Sequence, residues 1–265
     1  MIAAKAMLID VTMCVGCGAC QAACKVENQL PGDVEPALSP TAYTALHEVD
    51  GVYVRRMCQH CLEPTCVSVC PVGAFTKTAA GPVLYDADKC IGCRYCIQAC
   101  PFGVPRYEWS SRSPKVRKCR FCAERQQKGL PPACAEACPT GATKWGNRDE
   151  LIREAYARIA AEPDRYVHRL YGEHEVGGTS ILYLSGVPFE KLGFDTTLQT
   201  AGLPSLTMNA LEKIPGVVAV GGVLLYGIWW ITNRRAEVRR LEHALETLES
   251  RSAKSGAGDP EGRGR

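Results

Sequence analysis

Net charge is what this sequence has least of. The 31 Lys and Arg residues against 28 Asp and Glu leave only +3 over 265 residues, too weak a field to hold a phosphate backbone, so nucleic-acid binding is set aside. The opening MIAAKAMLIDVTMC has no basic stretch followed by an apolar core, so it does not read as a secretory signal. Residues 1–10 also contain no arginine pair, and no cysteine lies beyond Cys138. Length allows a sizeable core but leaves one large domain or two small ones open.

Cysteine is in excess. Sixteen fall in four clumps: Cys14, Cys17, Cys20 and Cys24; Cys58, Cys61, Cys66 and Cys70; Cys90, Cys93, Cys96 and Cys100; and Cys119, Cys122, Cys134 and Cys138. Disulfides, structural zinc and iron-sulfur clusters each demand a different spacing. A disulfide framework belongs to short secreted chains. Zinc knuckles pair across a longer spacer, a pattern only the last clump, C-x2-C-x11-C-x3-C, could satisfy.

The run CIGCRYCIQACP is C-x2-C-x2-C-x3-C-P, the bacterial ferredoxin pattern for a [4Fe-4S] cluster. Three closely spaced cysteines wrap one face of the cube, their neighbouring amides offset its negative charge, and the fourth cysteine is directed to another cluster. The first clump repeats the spacing with Lys25 in place of proline, while the second and fourth lengthen the loop and keep Pro71 and Pro139. Gly73, Gly103 and Gly141 each stand three residues after the last cysteine of a motif, where a turn needs conformational freedom. Residues Lys5 to Ile9, Val52 to Arg56, Ala74 to Thr78, Pro82 to Tyr85 and Ala142 to Trp145 read as short strands flanking the motifs. Spacing shows that the motifs work in pairs, not which ones pair.

These motifs, with MCVGCGACQAACKVEN, CQHCLEPTCVSVCPVGAF and the later YGEHEVGGTSILYLSGVPFEKL, resemble the four-cluster beta subunits of membrane-bound respiratory oxidoreductases. The nickel-iron hydrogenase type is most similar and the formate dehydrogenase type next. The resemblance implies an α+β fold of two nested ferredoxin-like domains holding four [4Fe-4S] clusters in a line, plus one C-terminal transmembrane helix. It also implies that the first motif pairs with the fourth and the second with the third. Carried over, Cys14, Cys17, Cys20 and Cys138 hold one cluster and Cys24, Cys119, Cys122 and Cys134 its neighbour. Cys58, Cys61, Cys66 and Cys100 hold a third, and Cys70, Cys90, Cys93 and Cys96 a fourth. The expected organisation is an outer domain of residues 1–24 with 112–146, a connecting loop 25–49 and an inner domain 50–111. A helix and partner-docking segment follows at 147–212, then a membrane helix at 213–233 and a short helix with a disordered tail at 234–265.

With all sixteen cysteines used, no iron keeps a vacant position, so the chain reads as an electron relay without bond chemistry of its own. The partners implied are a large catalytic redox subunit and an integral membrane subunit that reacts with quinone, such as a b-type cytochrome. The alternative is a metal-stapled interaction module without redox role.

Nineteen uncharged residues from Ile214 to Thr232 would span about 28 Å as a helix, close to a bilayer core. Trp229 and Trp230 suit an interface, and Gly216, Gly221, Gly222 and Gly227 would admit a neighbouring helix. Arg234, Arg235, Arg239 and Arg240 follow the span and only Lys213 with Glu212 precedes it, which puts the C-terminus in the cytoplasm. The cluster domain is then expected on the periplasmic face of a bacterial or archaeal cytoplasmic membrane. Clusters are inserted before export, so the chain is expected to travel folded with a signal-bearing partner, as the formate dehydrogenase type does.

Arg94, Arg117, Lys118 and Arg120 are candidates for raising cluster potentials, and His60 for a structural hydrogen bond. Tyr95, Phe102, Trp109, Phe121 and Trp145 are expected to exclude water. Residues 147–162 read as a surface helix capped by Asn147, and Tyr171 to Leu192 as an extended loop laid on a partner. Val238, Leu241, Leu245 and Leu248 form a narrow apolar seam.

Overall fold

The strands that bracket the cysteine motifs pair with one another in a computed structural model, which describes residues 4–256. In chain order they are β1 (Lys5–Asp10), α1 (Ala19–Glu27), β2 (Thr44–Val49), β3 (Val52–Met57), α2 (Thr65–Ser68), β4 (Phe75–Lys77) and β5 (Val83–Tyr85). Next come α3 (Tyr95–Gln98), β6 (Arg106–Tyr107), β7 (Val116–Arg117), α4 (Ala123–Gln127), α5 (Ala133–Glu136), β8 (Thr143–Asn147) and α6 (Arg148–Ala161). The last are β9 (Ile181–Leu184), α7 (Leu203–Leu211) and α8 (Ile214–Gly256). The described chain falls into two compact units divided between Thr207 and Met208.

β1 is the central strand of a three-stranded sheet, antiparallel to β8 and parallel to β9. A central strand is covered on both faces, and KAMLID is accordingly buried from Ala6 onward. The pleat divides two cores. Met7 and Ile9 of β1 with Ile181 and Tyr183 of β9 face the core that contains Cys24, Cys119 and Cys134. Ala6 and Leu8 with Leu182 and Leu184 face Leu151, Ala155 and Ile159 of α6. The end of β1 is tied down by Asp10, whose carboxylate caps Thr12 and accepts from Arg158 Nη1 at 2.8 Å and Tyr166 Oη at 3.0 Å.

Two expectations are corrected. The stretch 25–49 is not only a connecting loop, because α1 runs into it and β2 pairs in full register with β3. Asp50 and Gly51 make that two-residue turn, both with positive φ, the backbone that matches strand twist. Tyr171 to Leu192 is not a surface loop either. Tyr171, Val176, Leu182, Tyr183, Phe189 and Leu192 are all 2% exposed or less, and the Tyr171 and Phe194 rings lie 4.6 Å apart. Its strand β9 is part of the sheet, because four consecutive apolar residues can only be satisfied by cover on both faces.

The inner motifs are joined by β4 and β5, which pair antiparallel over a third core of Phe75, Val83, Cys96 and Val116. β6 pairs with β7. Asn147 caps α6 by accepting from the Asp149 amide at 3.1 Å. α8 runs without a break from the uncharged span through the region expected to be a separate short helix. The stretch SAKSG at the start of the expected disordered tail continues α8 to Gly256, and the rest of that tail lies outside the described residues.

Candidate cluster-binding site

The four motifs share one backbone solution. The residue two after the first cysteine is left-handed in every copy: Gly16, His60, Gly92 and Phe121, with φ of 71°, 47°, 73° and 56°. That reversal curls successive amides toward one point, the concave arrangement that receives anions. The third cysteine of each motif then sits in a helix, Cys20 in α1, Cys66 in α2, Cys96 in α3 and Cys134 in α5. After the fourth cysteine, Gly73, Gly103 and Gly141 take φ of 61°, 58° and 65°, and their amides donate to the carbonyls of Cys70, Cys100 and Cys138. The first motif lacks this turn. With Lys25 where proline would stand, α1 continues to Glu27, and the buried Lys25 ammonium donates to Pro31 O, Glu35 and Thr41 O.

All sixteen thiols are free of disulfides. α1 packs on α5 and α2 on α3, which brings the first motif to the fourth and the second to the third. Cys14, Cys17, Cys20 and Cys138 line one cavity, and Cys24, Cys119, Cys122 and Cys134 another. Burial, together with the charges of Cys58, Cys100 and Cys66, pushes the Cys61 thiol far up. Cys96 is pushed up to about 11 by burial and then by Cys90, Cys93 and Cys70. Cys24 rises to about 12 through burial, Cys134 and Cys122, and Cys66 to about 12 through burial and Cys58.

Four partly buried thiols that repel one another's anions need a cationic group among them before they can all ionise. Among the described residues no three Cys, His, Asp or Glu side chains are arranged to hold a single metal ion. A cubane asks something else, one thiolate at each of four separate irons with amides turned toward sulfur. Such amides are present: Ala74 N donates to Cys70 Sγ at 3.2 Å and Phe121 N to Cys119 Sγ at 3.3 Å. Burial raises the Cys138 thiol, but the Thr140 hydroxyl and the amides of Thr143, Thr140 and Ala142 outweigh it, and its pKa falls. The donor set therefore fits iron-sulfur cubes.

Of the basic candidates, Lys118 alone is internal, donating to Val83 O and Cys119 O. Arg117 pairs with Glu108 and Arg120 with Glu124, while Arg94 lies over Trp109. His60 is fully buried. Its Nδ1 accepts from Val83 N at 3.0 Å and its ring stacks on Phe121 at 4.9 Å. Burial, and then Lys118 and Lys77, holds it neutral. Phe121 is buried, and Phe102 and Trp145 pack on the same core, so these three exclude water as expected. Tyr95 and Trp109 do not, being 56% and 72% exposed.

One buried residue was missed. Arg55, in the middle of β3, is 3% exposed and lines the cavity of Cys14, Cys17, Cys20 and Cys138. The signal was the pleat. Tyr53, Arg55 and Met57 share one strand face, and Tyr53 lies against Gly16 while Met57 borders the cavity of Cys24 and Cys119.

Cysteines gathered in fours, on ferredoxin-type loops with inward amides, define an iron-sulfur protein that binds [4Fe-4S] clusters. Residues 49–148 match the 4Fe-4S dicluster domain family. A protein of Nitratidesulfovibrio vulgaris is 39% identical over 256 residues, covering 90% of this chain and 69% of the relative. The hydrogenase-2 operon protein HybA of Escherichia coli O157:H7 is 38% identical over 233 residues, covering 70% and 71%. The nitrate-inducible formate dehydrogenase iron-sulfur subunit of Escherichia coli (strain K12) is 36% identical over 199 residues, covering 68% and 67%. The chain belongs to this family of iron-sulfur electron-transfer subunits.

Proposed function

We propose that the chain relays electrons through four [4Fe-4S] clusters between a catalytic redox subunit, of hydrogenase, formate dehydrogenase or other molybdopterin type, and a membrane subunit that reacts with quinone. The ligand sets are Cys14, Cys17, Cys20 and Cys138; Cys24, Cys119, Cys122 and Cys134; Cys58, Cys61, Cys66 and Cys100; and Cys70, Cys90, Cys93 and Cys96. The observation that carries this reading is the gathering of sixteen thiols into four mutually interacting groups, two of them each around one cavity. The outer pair would be closed by β1 and β8, the inner pair by β4 and β5, as two nested domains.

Bound clusters supply reversible one-electron exchange. The chain's own residues set the conditions for it: backbone amides at Cys70, Cys119 and Cys138 stabilise sulfur charge, while Phe121, Phe102 and Trp145 keep water out. Anaerobically purified protein should contain about sixteen iron and sixteen acid-labile sulfide per chain, with a broad visible band bleached by dithionite. In Cys138→Ser the iron should fall by about four. Zinc in place of iron and sulfide would favour the structural-module alternative.

The uncharged part of α8 would anchor the chain, with Arg234, Arg235, Arg239 and Arg240 holding the C-terminus in the cytoplasm and the clusters outside. A reporter fused after Arg265 should be active only in the cytoplasm. Activity only on the far side would reverse this orientation.

A further inference from the structure

Arg55 is a buried guanidinium with too few partners. Its Nη2 lies 2.7 Å from Met7 Sδ, a weak acceptor; its Nε and Nη1 have no well-formed hydrogen bond, and the thiols of Cys20 and Cys134 are the weak acceptors within its reach. An unpaired cation in the interior is costly and is retained only where a compensating anion sits beside it. The neighbours are cysteines. Arg55 lines the cavity of Cys14, Cys17, Cys20 and Cys138, and its charge acts on Cys134 and Cys20 before any other group and also on Cys14 and Cys24. Cys20 and Cys134 fall in the two different outer ligand sets. Among the described residues no carboxylate pairs with this guanidinium, whereas its strand neighbour Arg56 donates to Leu192 O and lies over the Phe194 ring.

We propose that Arg55 is a positioning residue shared by the two outer clusters, its one positive charge stabilising the reduced form of both and holding their potentials above what the same cysteines would otherwise give. This rests on the four-cluster reading above. The fork of donors on a guanidinium suits it to two acceptors at once, which an ammonium on a flexible stem does not match. Strand β3 fixes the position, since the Arg55 carbonyl accepts from Tyr183 Oη at 2.9 Å and its neighbours Val54 and Met57 are buried.

The test is a redox titration of the full-length protein, followed by electron paramagnetic resonance, on wild type, Arg55→Gln, Arg55→Met and Arg55→Lys, with iron and sulfide counted on each sample. Wild type first decides the cluster reading through its iron content. Given sixteen irons, Arg55→Gln should make reduction of two clusters at least tenfold harder, a fall of about 59 mV for one electron, and leave the other two midpoints in place. Four unchanged midpoints, or an equal shift in all four, would overturn the proposal. If Arg55→Gln does not retain its iron, Arg55→Met, uncharged and of similar length, decides: a fall confined to two midpoints supports the shared charge, and wild-type midpoints reject it. Arg55→Lys, which keeps the charge, should stay nearer wild type than either neutral variant.

Discussion

Asp10 shows how much one side chain can hold at the edge of a cluster site. It is 1% exposed and receives Thr12, Arg158 and Tyr166, so it joins the end of β1, four residues before Cys14, to α6. Asp10→Ala would leave the buried Tyr166 hydroxyl without its partner and Arg158 with Glu154 alone, and should cost about 2 kcal/mol, a fall in Tm of roughly 4–8 °C for the holoprotein. A Tm within about 2 °C of wild type would show that the junction carries no stability. The four cysteine motifs were legible in the sequence because cluster chemistry fixes both residue type and spacing. Arg55 was not read, since an arginine in VYVRRM looks the same whether it faces water or a thiol; only the shared face of Tyr53, Arg55 and Met57 distinguishes them. Tyr95 and Trp109 misled for the converse reason, since nearness to a motif along the chain does not turn a ring inward.

Among the elements, the strands next to the motifs were readable from short apolar or alternating runs closed by turn residues. β9 was not, because ILYL carries no period-two signal and its partner β1 lies at the other end of the domain. Its approach is held by Gly172, whose φ is +96°; a Cβ there would fall on the Ile181 carbonyl oxygen and 2.6 Å from Thr179 Oγ1. Gly172→Ala should therefore destabilise by more than about 2 kcal/mol, adding steric displacement to backbone strain. Gly129→Ala is the matched control, with φ of +74° and nothing within 4 Å of the added carbon, and should cost only about 1–2 kcal/mol. Equal thermal midpoints for the two variants would mean that the contact at Ile181 relaxes freely.

At the scale of the whole chain, the described residues hold one helix long and apolar enough to cross a membrane, with none of its apolar window buried. Val223 lies near the centre of the uncharged span and is 72% exposed. Val223→Arg should cost about 2.5–3.5 kcal/mol for insertion and release much of the protein from carbonate-washed membranes; full retention would argue against α8 as the anchor. Within the cluster-bearing unit, the sheet closes in an unusual order. β1 leaves the ribosome well before its partners, and waits for β8 on one side and β9 on the other. At ordinary rates of synthesis that is a delay on the order of ten to thirty seconds. The motifs flanking β4 and β5 can meet within a much shorter stretch of chain, so the two halves of the site come of age at different times. During that interval the thiols of the first motif stand open to oxidants, to metals and to the machinery that delivers iron.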